Sequence, residues 1–195
     1  MYLLNEINFA TTNKEKLLIA QTVCQQAGLK VKCIKLVVDE IQAEDAELIV
    51  RDKCNQAYRL FKKPIVVSDD SWDIPALNGF PGPYMKSLNY WFKPEDFLRL
   101  MNGIKDRTII LHQYLAFKDK QNIKVFKNDI KGHIIKESRG YNKNSANMSV
   151  IVLDSDNGQT IAQVFEKGQA AVVDRYKNRP DVWHQFIDWY TTKGK

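Results

Sequence analysis

The sequence predicts an α/β protein with two lobes. Short apolar, β-type runs alternate with amphipathic helical stretches in the first half, whereas long β-type runs dominate the second. Three polar clusters, Thr11-Thr12-Asn13, Asp39-Glu40 and Ser68-Asp69-Asp70, fall where strands of the first half are expected to end. Ligands of open α/β sheets bind beyond the carboxyl ends of strands, so the three clusters are expected to face one crevice between the lobes.

The elements follow in order. Alternation over residues 6–10 predicts a first strand, and Thr11-Thr12-Asn13 supplies helix-capping residue types before Leu17, Leu18 and Val23. Ala27-Gly28 closes that helix, and Val31 to Val38 reads as a second strand. A helix over about 45–61 presents Ile49, Ala57 and Leu60 on one face and stops before Pro64. The continuously apolar Ile65-Val66-Val67 is a buried strand with Ser68-Asp69-Asp70 at its end. Pro94 opens a short helix that ends before Gly103. Residues 108–117 and 123–135 read as long strands, and 148–153 and 159–165 as a hairpin around Asp156-Asn157-Gly158. A final helix near 181–191 packs through Val182, Phe186, Trp189 and Tyr190. With no repeat or linker, the expected organisation is one domain: an α-rich lobe over about 1–105, a β-rich lobe over about 106–180 and a C-terminal helix over about 181–192.

A chain of 195 residues buries a core without staples. Cys24, Cys33 and Cys54 form no CxxC pair, which argues against a disulfide framework or a zinc site. No apolar run reaches membrane-spanning length, and Met1 to Leu4 is interrupted at once by Asn5 and Glu6, so a soluble cytoplasmic protein is expected. The net charge of +6 suits a polyphosphate ligand and equally an ordinary basic protein. Residues 118–143 hold eight Lys/Arg and three Asp/Glu, but aromatic residues do not alternate with the lysines, so a solvated hairpin is favoured over a nucleic-acid surface.

Adjacent carboxylates repel, so Asp69 beside Asp70 is either a solvated pair capping a turn or a pair drawn together by a divalent cation. Magnesium takes hard oxygen ligands, usually one or two carboxylates completed by water and phosphate oxygens. Lys16 lies one turn into the first helix, where the dipole favours a phosphate, and Lys53 and Lys86 add positive charge. Pro81-Gly82-Pro83 reads as a stiff loop able to aim Tyr84 and Lys86. The combination predicts a metal-bound di- or triphosphate.

Four stretches resemble the inosine-triphosphate pyrophosphatase family. Phe9 to Lys16 is similar to its (T/S)xNxxK phosphate loop, Asp39-Glu40-Ile41-Gln42 to its Pro-Glu-x-Gln element, and Arg51 to Ala57 to its lysine-bearing helix. Asp69 to Lys86 resembles the D(S/T)GLxVxALxGxPGxY block, almost continuously over Ala76 to Tyr84. The resemblance implies a two-lobed fold with an elongated mixed sheet flanked by helices. It also implies Mg2+-dependent hydrolysis of a purine nucleoside triphosphate to monophosphate and pyrophosphate, and a homodimer, for which Trp91 and Phe92 offer aromatic surface. By its motifs, Thr11, Thr12, Asn13, Lys16, Lys53, Ser71, Trp72, Lys86 and His184 bind substrate, and Glu40 and Asp69 hold the metal. Counting back from Pro81 without gaps makes Asp69 the catalytic carboxylate; a one-residue deletion makes it Asp70.

The pattern also breaks. Ile19 stands where the family has a metal-associated glutamate, leaving Glu15 as a substitute from another face, and Ser71-Trp72 replaces Gly-Leu. Residues 141–149 lack the GFGYDPxF segment, and Trp183-His184-Gln185 stands for the base-reading Ser-His-Arg. Preference for inosine or xanthosine triphosphate is thereby in question, with Trp72, Trp91, Trp183 and Tyr141 as alternative stacking faces. A catalytically silent nucleotide- or protein-binding relative is the competing reading.

Overall fold

The computed structural model describes residues 6–177 and 179–192; the Met1–Leu4 run lies outside them. The fold is mixed α/β. Its strands are β1 (Glu6–Ala10), β2 (Lys30–Ile34), β3 (Ile65–Ile74), β4 (Phe80–Gly82), β5 (Thr108–Lys118), β6 (Ile123–Ile134) and β7 (Ile151–Leu153). They form one sheet in the order β2-β1-β3-β5-β6-β7, with β4 paired to β3. β1 runs parallel to β2 and β3, while β3–β4 and β6–β7 are antiparallel. The helices are α1 (Lys14–Gln26), α2 (Ala46–Phe61), α3 (Met85–Trp91), α4 (Pro94–Leu100), α5 (Ile161–Glu166), α6 (Gln169–Lys177) and α7 (Val182–Thr192).

The chain forms two compact units, Met1–Asp69 with Gln113–Asn128 and Tyr176–Lys195, and Asp70–His112 with Asp129–Arg175. The boundary therefore divides the Asp69-Asp70 pair and passes within β3, β5 and β6.

In the first unit, α1 begins as its sequence demands. Asn13 is the N-cap, and its side-chain oxygen accepts from the backbone N–H groups of Glu15 and Lys16. α2 is capped by Asp45 and closes at Lys62, whose φ of 58° lies in the left-handed region. Its buried Val50, Cys54 and Ala57 pack with Ile65 and Val67 of β3 and with Tyr114 and Ala116 of β5. Leu60, expected on that face, is exposed. α7 buries Val182, Trp183 and Phe186, and Trp183 meets Phe9 of β1 edge-on at 5.0 Å between centroids. Each such fully buried aromatic contributes about 2–3 kcal/mol. Burial pushes the Cys24 and Cys54 thiols up to about 12, which keeps both protonated and inert. The second unit has its own core, in which Trp72 and Ile74 pack with Met85, Leu88, Phe97, Ile109 and Leu111.

Several elements differ from expectation. β2 stops at Ile34, so Asp39 and Glu40 lie in the following coil rather than at a strand end. β3 runs on through the acidic pair to Ile74, because Trp72, Asp73 and Ile74 pair with Gly82, Pro81 and Phe80 of β4. Pro81 and Gly82 thus lie in a short strand rather than a loop, and Pro83 and Tyr84 turn the chain into α3, which places Lys86 in a helix's first turn. Residues 148–153 keep only the three-residue β7, and the strand expected over 159–165 is α5, whose N-cap Thr160 exchanges reciprocal bonds with Gln163. α6 was not expected at all.

Candidate active site

Four chain segments of the first unit contribute to one cluster of charged side chains. The Lys16 ammonium, in the first turn of α1, stands 3.9 Å from Asp69 Oδ1, and the Lys53 ammonium of α2 stands 3.8 Å from Asp69 Oδ2. Lys53 also donates to Glu40 Oε1 at 2.5 Å. Two carboxylates from separate segments therefore share one ammonium. Lys53 is 15% exposed at its side chain, which weakens solvent screening of these attractions.

Local structure explains the convergence. Alternation along β3 puts Asp69 on the side of Ser71 and Asp73, opposite the side of Asp70, Trp72 and Ile74, the last two of which are buried in the second unit's core. Lys53 is one helical turn from Gln56, and Gln56 ties the coil carrying Glu40 to α2. Its amide donates to the Asp39 carbonyl at 2.7 Å and to Asp52 Oδ2 at 2.5 Å, and its side-chain oxygen accepts from the Asp39 N–H at 3.1 Å. This clamp was missed in the sequence, although the 52/53/56 spacing on a helix signals it.

The remaining candidates fall as follows. Thr11 Oγ1 accepts from the Asn13 N–H at 3.1 Å, and Asn13 spends its side chain on the cap, so the Thr11–Asn13 turn is braced internally; Thr12 is exposed. Cys33 donates its thiol to the Thr11 carbonyl at 3.4 Å, a brace the sequence did not suggest. Ser71 is buried, and Trp72 is 8% exposed within the core, a packing position rather than a stacking face. Trp183 is likewise buried, whereas Trp91 and Tyr141 are exposed. Lys86 is exposed. His184 sits in the first turn of α7, 2.9 Å from the buried Asp181 carboxylate; that hydrogen bond raises its pKa, against an opposing effect of burial. Glu15 takes no part in the ion pairs above, and burial raises its carboxyl pKa. Among the described residues, no group of three or more His, Cys, Asp or Glu side chains is placed to hold a metal ion. Three lysines of the basic hairpin lie over aromatic rings, Lys118 on Tyr58, Lys124 on Phe126 and Trp189, and Lys127 on Tyr114.

Fold and cluster together define an α/β protein whose first unit gathers paired charges of both signs, a setting for a multiply charged ligand. The chain belongs to the Ham1 family, whose model matches residues 7–178. It is 33% identical over 135 residues to a dITP/XTP pyrophosphatase of Saccharolobus solfataricus, covering 69% of this chain and 70% of that protein. A dITP/XTP pyrophosphatase of Methanothermobacter marburgensis is 27% identical over 187 residues, covering 95% and 96% of the two chains. Among solved structures, a Ham1 protein of Coxiella burnetii matches with a TM-score of 0.74 at 20% identity, covering 96% of this chain and 98% of that one. The Staphylococcus aureus Ham1 protein matches with a TM-score of 0.72 at 19% identity, covering 96% and 99%. These two likenesses concern the fold. No helix among the described residues is long and apolar enough to cross a membrane.

Proposed function

We propose that the chain is a nucleoside-triphosphate pyrophosphatase, a hydrolase of phosphoric anhydrides that converts a purine nucleoside triphosphate of the dITP or XTP kind to its monophosphate and pyrophosphate. The observation that carries the reading is the approach of Lys16 and Lys53 to Asp69, with Glu40 drawn in through Lys53.

The chemistry follows from those side chains. The two ammonium groups bind the phosphate oxygens and neutralise the charge that builds on the leaving pyrophosphate. Asp69 orients a water and takes its proton as the oxygen attacks the α-phosphorus in line. The new P–O bond forms as the bond to the β-phosphate bridging oxygen breaks, and pyrophosphate departs with that oxygen. Its two ammonium neighbours and its side of β3 support Asp69 over Asp70 as this base. Glu40 and Asp69 would hold a divalent ion such as Mg2+ through their hard carboxylate oxygens, and the ion would supply charge neutralisation to the triphosphate. A cytoplasmic location and a homodimer complete the proposal. Of the two aromatic residues expected at a dimer surface, Trp91 is exposed, whereas Phe92 packs against the core.

The test is product analysis. With Mg2+ and a panel of dITP, XTP, ATP and GTP, the protein is expected to release pyrophosphate and the monophosphate, fastest from dITP or XTP. Release of orthophosphate and diphosphate contradicts the proposed bond cleavage. Nucleotide binding without turnover favours the silent relative.

A further inference from the structure

The Lys53 ammonium occupies a specific place: it hydrogen-bonds Glu40 at 2.5 Å and stands 3.8 Å from Asp69, the two carboxylates assigned to the ion. We infer that Lys53 is the resident counter-ion of this carboxylate pair in the nucleotide-free protein, so that the divalent ion enters with the triphosphate and not ahead of it. The inference rests on the reading of the site as a nucleotide pyrophosphatase.

Three observations carry it. The contact is built rather than incidental, because Gln56 fastens the Glu40-bearing coil to the helix that carries Lys53 through two bonds to the Asp39 backbone. Lys53 is largely shielded, so its charge is weakly screened. Among the described residues no third acid or histidine joins the pair in metal-holding geometry, so a free ion meets two carboxylates already engaged by an ammonium. Such an ion must displace the ammonium or share its space against like-charge repulsion. A triphosphate changes the balance. Its oxygens accept Lys53 and Lys16, releasing the carboxylates toward an ion that the phosphates also hold. Ion and nucleotide affinities are then coupled, each raising the other by the same factor.

The experiment titrates Mn2+ alone into nucleotide-free wild type, Lys53→Met and Lys53→Arg, reading free ion by electron paramagnetic resonance. Lys53→Met is expected to bind Mn2+ about two- to fivefold more tightly than wild type, the scale of one partly exposed ion pair. Its affinity for a non-hydrolysable triphosphate with Mn2+ should fall, and Lys53→Arg should keep the wild-type Mn2+ affinity. Adding Glu40→Gln to Lys53→Met should abolish the gain. Lys53→Gln repeats the titration if the methionine variant does not fold. Neutral variants that bind Mn2+ no more tightly than wild type, or a gain that survives Glu40→Gln, overturn the inference. The titration contains no nucleotide, so its failure is separate from any failure of pyrophosphate release.

Discussion

At 3.8 and 3.9 Å, Lys53 and Lys16 attract Asp69 without hydrogen-bonding it, whereas Lys53 bonds Glu40 directly. Motif spacing along the chain singled out Lys16, Glu40, Lys53 and Asp69 one by one, and these are the four side chains whose charged groups the ion pairs link. Gln56 was missed: helical spacing marks its bond to Asp52, but its hold on Asp39 depends on where the coil after β2 folds back. His184 offers a separate residue-scale prediction. The Asp181 hydrogen bond raises its pKa above the ordinary 6.5. A raised folded-state value means that the stabilisation is complete below the unfolded value and is lost as pH rises through the folded one. Urea midpoints of the wild type should therefore fall as pH rises from 6.5 through that higher value, by roughly a few tenths of a kcal/mol after solvent screening. Asp181→Asn should flatten that slope, and an unchanged slope would refute the pairing.

Elements were most legible where local chemistry and tertiary packing agree. β1, α1 with its Asn13 cap and α2 with its Asp45 cap lie where periodicity and capping place them. β3 outran its prediction because pairing with β4 holds residues whose charges read as a terminus. α5 was read as a strand although Thr160 and Gln163 spell a capping box; the Asn157-Gly158 turn forms, but a helix follows it. The β6–β7 pairing leaves no room for a side chain at Gly132. Gly132 lies opposite Leu153, and a Cβ there would overlap the Val152 carbonyl oxygen and approach Leu153 Cα to 2.9 Å. Gly132→Ala should therefore destabilise the protein by about 2 kcal/mol, read as a lowered urea midpoint. A midpoint within error of wild type would contradict that packing.

For the molecule as a whole, composition and alternation sufficed for the α/β class, and the matched Ham1 structures share the fold at about one-fifth identity. Two lobes were expected to meet near residue 105, but the division into units runs elsewhere, because β3, β5 and β6 each contribute to both and no linker marks the change. We propose that Asp69 performs the proton transfer of anhydride hydrolysis. That role is tested by pyrophosphate release from dITP and XTP by Asp69→Asn and Asp70→Asn, each shown to be folded by its urea midpoint. Asp69→Asn should lose at least about a hundredfold in kcat, while Asp70→Asn retains more. Wild-type turnover in Asp69→Asn would exclude Asp69 as the base.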